Sequence, residues 1–430
     1  MNAWRQAVEN YRDRRVVTVL FLGFSSGLPL LLTYSTLSAW LAKEGISRAA
    51  IGLFALVGLP YALKFLWSPL IDRLPPPLPL GRRRGWAVAI QLALMAAILT
   101  LGALDPKQQI GAMAAIAVLV AFLSASQDIV IDAYRIELLD EAHQGPGAGA
   151  VQVGYRLSML VAGAGTLFLA QAFGWFVGYA VMAILMVVGV VVLLVSPEPE
   201  PGRLMSAPTN EGRGLGGWRG ELSRTVIRPF SDLMQRSGWP AILIFIVTYK
   251  LGEAMAGVMA TPLYVSLGFS LAEIAEVSKL FGFFATIIGC LAGGAVVTRL
   301  GCRKALLVCG VLQSLGNLFY VLQAQAGHHV EYLALCVAAE NLTGGMAGTA
   351  LVAYVSMLCN ASYTATQYAL LSALATLGRT LFASSGGFLA DSLGWEAFFL
   401  LTTVITAPAL ILLMWMMARW PDPKVAAAPS

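Results

Sequence analysis

The chain has 430 residues, of which 58% are hydrophobic and 12% charged, with a formal net charge of +5. Soluble domains carry about a quarter charged residues, and a mean hydropathy of +0.74 leaves too little polar surface to cover a soluble fold of this size. A disordered chain is excluded by the same figures, and an all-α membrane protein with many spans of roughly 20 apolar residues each is expected.

In chain order, Arg12, Arg14 and Arg15 precede a first apolar run at 16–41. That run is too long for the h-region of a cleaved signal and is expected to stay as a span. Runs follow at 49–70, 86–104, 110–133, 148–173 and 175–195. The polar stretch 196–239, rich in Pro, Gly, Arg and Glu, reads as a linker. Six more runs lie at 240–266, 272–297, 305–324, 332–358, 366–390 and 395–418. The expected organisation is a cytoplasmic segment 1–15, a six-helix bundle 16–195, the cytoplasmic linker 196–239, a second bundle 240–418 and a cytoplasmic tail 419–430.

Basic residues set the orientation. With the N-terminus inside, 21 of the 28 Lys and Arg residues fall in cytoplasmic segments and 3 (Lys43, Arg48, Lys107) in outer loops. That asymmetry is the positive-inside signature, and both termini are expected in the cytoplasm. The same clustering argues against nucleic acid as a partner. The five cysteines form no CxxC pair, and His143, His328 and His329 fall in loops, so no metal site is expected. GxxxxGK[ST], HExxH and GxSxG are all absent, which removes an ATPase engine and two hydrolase classes.

The two halves repeat. Phe168-Leu-Ala-Gln-Ala-Phe-Gly-Trp175 matches Phe388-Leu-Ala-Asp-Ser-Leu-Gly-Trp395 at an offset of 220, and Ala133-Tyr134 matches Ala353-Tyr354 at the same offset. Parallel six-helix repeats are the organisation of major facilitator transporters. The loop Gly294-Ala-Val-Val-Thr298-Arg299-Leu300-Gly301-Cys302-Arg303-Lys304 resembles the facilitator motif G-x-x-x-D-R-x-G-R-K, with Thr298 in place of the acid. The first copy keeps Asp72-Arg73, then Gly81-Arg82-Arg83-Arg84 after a proline-rich insert. Asp72, Arg73 and Arg299 are therefore candidate gating residues, the acid latching the halves through basic partners.

Charges at membrane depth must face protein or a water-filled cavity. The apolar runs carry Lys64, Asp128, Asp132, Lys250, Glu253, Lys279, Glu340 and Arg379. Asp128 and Asp132 stand at i and i+4 on one helix face with no cation near Asp128 in sequence, so Asp128, then Asp132 and Glu253, are the proton-coupling candidates. Lys250 and Glu253, at i and i+3, can also pair within one helix. Gly23, Gly27, Gly163, Gly165 and the Gly344-Gly345-Gly348 group allow close helix approach. Pro29 and Pro262 place kinks in the first and seventh runs.

Phe24-Ser-Ser-Gly-Leu-Pro29, Tyr61-Ala-Leu-Lys-Phe-Leu-Trp-Ser-Pro69, Ser126-Gln-Asp-Ile-Val-Ile-Asp-Ala-Tyr-Arg135 and Tyr249-Lys-Leu-Gly-Glu253 give the chain a resemblance to the AmpG muropeptide permeases of Gram-negative bacteria. The resemblance runs from the first segment to the twelfth. It implies a secondary transporter of the bacterial inner membrane, not an enzyme, that imports N-acetylglucosaminyl-1,6-anhydro-N-acetylmuramic acid and its peptides. It further implies a proton motive force in place of a cofactor, and a role in peptidoglycan recycling and β-lactamase induction. Acetyl-CoA transporters look similar around Lys64 to Asp72 and Gln127-Asp128, so an acetyl-CoA or other anionic-metabolite transporter is the alternative. For a sugar-peptide cargo, Lys64, Lys250 and Arg379 suit the carboxylates, Gln127 and Asn341 the amides and hydroxyls, and Tyr61, Trp67 and Tyr249 the sugar rings. The transporter is expected to act as a monomer.

Overall fold

The computed structural model describes residues 8–199, 228–277, 281–360, 363–383 and 385–420. Most of the expected linker, Lys279 and both chain ends lie outside the described residues. Regular structure among the described residues is helical. In chain order the segments are α1 (Arg14–Lys43), α2 (short turns running from Arg48–Leu53 to Ser68–Arg73), α3 (Arg82–Ala103), α4 (Ile110–Leu138), α5 (Glu141–Phe173), α6 (Trp175–Val195), α7 (Trp239–Ser266), α8 (Gly282–Leu300), α9 (Cys302–Ala326), α10 (Val330–Met357), α11 (Thr364–Ala383) and α12 (Trp395–Arg419).

Among the described residues, ten of these are long and apolar enough to cross a membrane; α2 and α11 are not. The run at 49–70 is thus not the single helix its hydropathy suggests. Gly52, Gly58, Pro60 and Pro69 divide it into five short α- and 3₁₀-pieces, because proline removes a backbone donor and glycine weakens a helix interior. α1 is also interrupted. Behind Pro29 the chain leaves helical geometry at Tyr34 (φ −111°, ψ −103°), and the Thr33 hydroxyl donates to the Leu30 carbonyl at 3.0 Å where the ladder fails. α5 contains a π-turn over Val161–Gly165.

The sequence repeat is also a backbone repeat. Gly81 and Gly301, 220 residues apart, have φ of 98° and 77° and open α3 and α9. Gly174 and Gly394, again 220 apart, have φ of 89° and 75° and open α6 and α12. Only glycine adopts this region without strain.

Contacts divide the chain into two units. The first comprises Met1–Pro229 with Cys290–Arg299 and Val352–Ala373, so the end of α8 and the start of α11 join the N-terminal helices. The Tyr11 hydroxyl, for instance, donates to the Leu291 carbonyl at 2.7 Å. The second comprises Phe230–Gly289, Leu300–Leu351 and Leu374–Ser430.

Glycine sets the tightest packing in the first unit. A Cβ on Gly23 would collide with the Val151 backbone, one on Gly154 with the Leu20 carbonyl, and one on Gly27 with Ser158 and Tyr155. α1 and α5 therefore touch backbone to backbone, which is how helices gain dispersion energy in lipid. Stacked rings fill the rest: Trp40 on Trp175 at 5.3 Å in the first unit, and Tyr320 on Phe399 at 4.6 Å in the second.

Candidate functional site

In the first unit the 3.6-residue period places Asp128 and Asp132 one turn apart on the same face of α4. The Ser26 hydroxyl of α1 donates to the Asp128 carboxylate. Lys64 of α2 stands within electrostatic reach of Asp128, as do Tyr61 and Tyr155. The cation missing near Asp128 in sequence is thus supplied in space. Gly27 makes the site possible: with no Cβ, it lets the Tyr155 ring and carbonyl approach α1 beside Ser26.

One turn further on, Asp132 accepts a long bond from Arg135 Nη2 at 3.4 Å. Arg135 is 0% exposed, and its guanidinium lies 5.4 Å from the centroid of the Tyr368 ring. Arg135 and Arg83, both counted among the cytoplasmic-segment cations, are buried inside the first unit. An arginine cannot shed its proton, so the buried Arg135 keeps its charge beside Asp132. That makes Asp132 a counter-ion, with Asp128 the carboxylate of the pair that lacks a hydrogen-bonded cation.

The candidate latch, an acid at a helix end facing basic residues, involves a helix start as well as a cation. Asp72 Oδ1 accepts from Arg83 at 2.8 Å, and Oδ2 accepts from the Thr366 backbone N–H at 2.9 Å and its hydroxyl at 2.7 Å. Thr366 is in the first turn of α11, so the carboxylate meets the positive end of a helix dipole. Arg83 also binds Glu137, at 2.6 Å. Glu198 accepts from the Arg83 and Arg84 backbone N–H groups at 2.6 and 3.0 Å and thereby caps α3. Gly81 leaves the room for it, since a Cβ there would strike Glu198. Arg73 is exposed, 5.9 Å from the Tyr363 ring centroid. Arg299 is exposed, and Thr298, in the acidic position of the second loop, donates to its own helix at Gly294.

Other expected contacts of this unit are turned inward. Gln127 is 0% exposed, and neither amide atom has a hydrogen-bond partner among the described residues. The Trp67 indole donates to Ser126 at 3.0 Å and packs on Phe122.

In the second unit, α7 breaks at Tyr249 and Lys250 between the helices Trp239–Thr248 and Leu251–Ser266. The break leaves the Lys250 ammonium 2.5 Å from Glu253 and within 3.4 Å of the Gly344 carbonyl. Gln313 of α9 also donates to Glu253. The first candidate reading of Lys250 and Glu253, cargo and proton sites, thus meets a formed ion pair. Tyr249 is 1% exposed and donates to the Leu306 carbonyl at 2.8 Å, so its ring packs in the core and does not face an opening. Asn341 donates to Val337 and Glu340 and accepts from Thr286 at 2.8 Å. Arg379 is exposed.

Sequence reasoning missed Ser26, Tyr155, Tyr363, Thr366, Tyr368 and Gln313. Each is a common polar or aromatic residue within or, for Tyr363, just outside an apolar run, and only tertiary contact gives it a role. The glycines flanking Ser26 were the one available signal that this stretch of α1 packs closely.

Ten apolar helices among the described residues, a 220-residue backbone repeat and charged side chains within the apolar segments mark a multi-pass membrane transporter. The chain matches the Major Facilitator Superfamily over residues 19–275 and 241–430. It is similar to the anhydromuropeptide permease of Escherichia coli K12, 41% identical over 411 residues, covering 95% of this chain and 81% of that protein. It is also similar to putative transporter AmpG 4 of Rickettsia conorii, at 35% identity over 94% of this chain and 97% of that one. Among solved structures, the human organic anion transporter MFSD10 aligns with a TM-score of 0.66 at 17% identity, covering 93% of this chain and 99% of that chain; this likeness concerns the fold. The chain belongs to the AmpG family of the major facilitator superfamily, a family of transporters and not of enzymes.

Proposed function

We propose that the chain imports anhydromuropeptides (N-acetylglucosaminyl-1,6-anhydro-N-acetylmuramic acid with or without peptide) across the bacterial inner membrane, for peptidoglycan recycling. The observation that carries this reading is the 41% identity to the E. coli permease across 95% of the chain. β-Lactamase induction follows as a consequence of the same import.

Charge balance supports proton coupling. A negative interior opposes each anionic charge entering by about 2.3 kcal/mol per 100 mV, and co-transported protons cancel that cost. Asp128 is the proton carrier of the proposal. It accepts a hydrogen bond from Ser26 and lies within electrostatic reach of Lys64, so a proton on Asp128 would leave the Lys64 charge to attract a cargo carboxylate. The transporter needs no cofactor, works by alternating access, acts as a monomer and keeps both termini in the cytoplasm. The Asp72 contact with the start of α11 holds the cytoplasmic side closed in one state.

A proteoliposome competition series tests the cargo. Labelled anhydromuropeptide uptake should be displaced by unlabelled muropeptide and by the free disaccharide, and not by acetyl-CoA. Displacement by acetyl-CoA alone would favour the anionic-metabolite alternative.

A further inference from the structure

Arg135 is a buried guanidinium with too few partners. Among the described residues it makes one carboxylate contact, at 3.4 Å to Asp132, while Nε and Nη1 have no hydrogen-bond acceptor. Its other neighbour is the face of Tyr368, which is 6% exposed. A guanidinium desolvated over an aromatic face lies at the strong end of the cation–π range. Tyr368 is two residues beyond Thr366, the residue held by Asp72. It is also within electrostatic reach of Asp132, Asp128 and Cys359. One ring thus touches the charged row of α4 on one side and belongs to the clasped turn of α11 on the other.

We propose that Tyr368 is a positioning residue that ties the charge of the Asp128–Asp132 pair to the hold on the start of α11. The inference rests on the reading of Asp128 as the proton site. With Asp132 ionised, Arg135 has a counter-ion, and the ring can cover it. When a proton leaves the Asp128 carboxyl and arrives on the Asp132 carboxylate one turn away, Arg135 loses that counter-ion. The ring alone does not offset a buried, unpaired charge. Water must reach the guanidinium, and it does so by Tyr368 lifting with the first turns of α11. Proton arrival therefore opens the clasp, which is the direction an importer coupled to protons requires. The other groups facing this row among the described residues are Lys64, Ser26 and Tyr61 at Asp128, and Tyr155, itself beside Arg156, at both carboxylates.

The test compares Tyr368→Phe with Tyr368→Leu in the full-length transporter, reading the pH profile of anhydromuropeptide uptake and the labelling of a cysteine placed at Met357, an exposed position near the clasp. Tyr368→Phe keeps the ring and should keep both readouts. Tyr368→Leu keeps apolar bulk without the π face, and should move the proton dependence and raise labelling by about tenfold. Arg135→Gln, which removes the buried charge, should make Tyr368→Leu silent in the double variant. Wild-type behaviour of Tyr368→Leu, or the same change in Tyr368→Phe, overturns the proposal, as does an undiminished Tyr368→Leu effect in the Arg135→Gln background. Asp128→Asn run alongside separates the readings. If it still concentrates cargo, the proton-site assignment fails; if it does not and Tyr368→Leu is silent, the Tyr368 link fails alone.

Discussion

The Asp72 carboxylate accepts two hydrogen bonds from Thr366, a residue 294 positions away in the chain, while its other oxygen takes one from Arg83. An acid at the end of α2 thereby caps a helix from the opposite half of the sequence. Hydrogen bonds to a charged group contribute about 1.5–3 kcal/mol each, so this is a strong hold that one protonation or one substitution can loosen.

Asp72→Asn keeps the shape and removes the charge. It should raise labelling of cysteines on the cytoplasmic side several-fold and lower labelling from the outside. Thr366→Val, which removes the hydroxyl and leaves the backbone donor, should give a smaller change in the same direction. Thr298→Ala should do nothing, because Thr298 bonds only within its own helix among the contacts described. Equal effects at Asp72 and Thr298 would reduce both loops to topology anchors.

Lys250 and Glu253 test whether a formed ion pair is a lock or a cargo site. Either single variant, Lys250→Met or Glu253→Gln, leaves one partly buried charge unpaired and should lower thermal stability in detergent. The double variant should recover much of that loss. A lock costs peptide-bearing cargo and bare disaccharide equally; a larger loss for the peptide-bearing cargo assigns Lys250 to carboxylate recognition.

The α1–α5 contact sets the stability of the first unit. Gly154→Ala would drive a Cβ into the Leu20 carbonyl and should cost about 1–3 kcal/mol as overpacking, read as a lower midpoint of thermal unfolding. Gly111→Ala, at an open position in α4, should be neutral or stabilising by about 0.5–1 kcal/mol. A neutral Gly154→Ala would mean that the two helices are not in backbone contact.

At the start of α1, Asp13 accepts from the Arg15 backbone N–H at 2.7 Å and from its guanidinium at 3.0 Å. The Arg15 hydrogen bond, against a smaller opposing effect of burial, holds the Asp13 carboxyl below the usual carboxylate range. A depressed acid stabilises the fold above its unfolded pKa, near 3.9, and loses that contribution as pH falls through the lower folded value. Asp13→Asn should therefore be less stable than wild type at pH 7, with the two converging as pH falls below the ordinary carboxylate range. A gap that stays constant through the acid range would contradict this account of the cap.

The 220-residue sequence repeat has its counterpart in the paired glycine turns at Gly81 and Gly301 and at Gly174 and Gly394, and hydropathy made most of the fold legible. It failed at α2, where Gly58 and Pro60 outweigh apolarity in setting backbone geometry. The candidate site was legible only as a set of charges. Membrane depth picked out Asp128 and Lys64, but their proximity joins α2 to α4 and no spacing rule encodes it. Charge counting assigned Arg83 and Arg135 to the cytoplasmic side and carried no signal that both are buried against carboxylates. Tyr249 and Gln127 looked like cargo contacts because polar groups in apolar runs are rare, yet each is sealed in packing.

Asp128→Asn in proteoliposomes, with labelled anhydromuropeptide and an imposed proton gradient, tests the central claim most directly. The account predicts that the variant no longer concentrates cargo against its gradient and still exchanges labelled for unlabelled cargo across the membrane. Accumulation at the wild-type level by Asp128→Asn would contradict it.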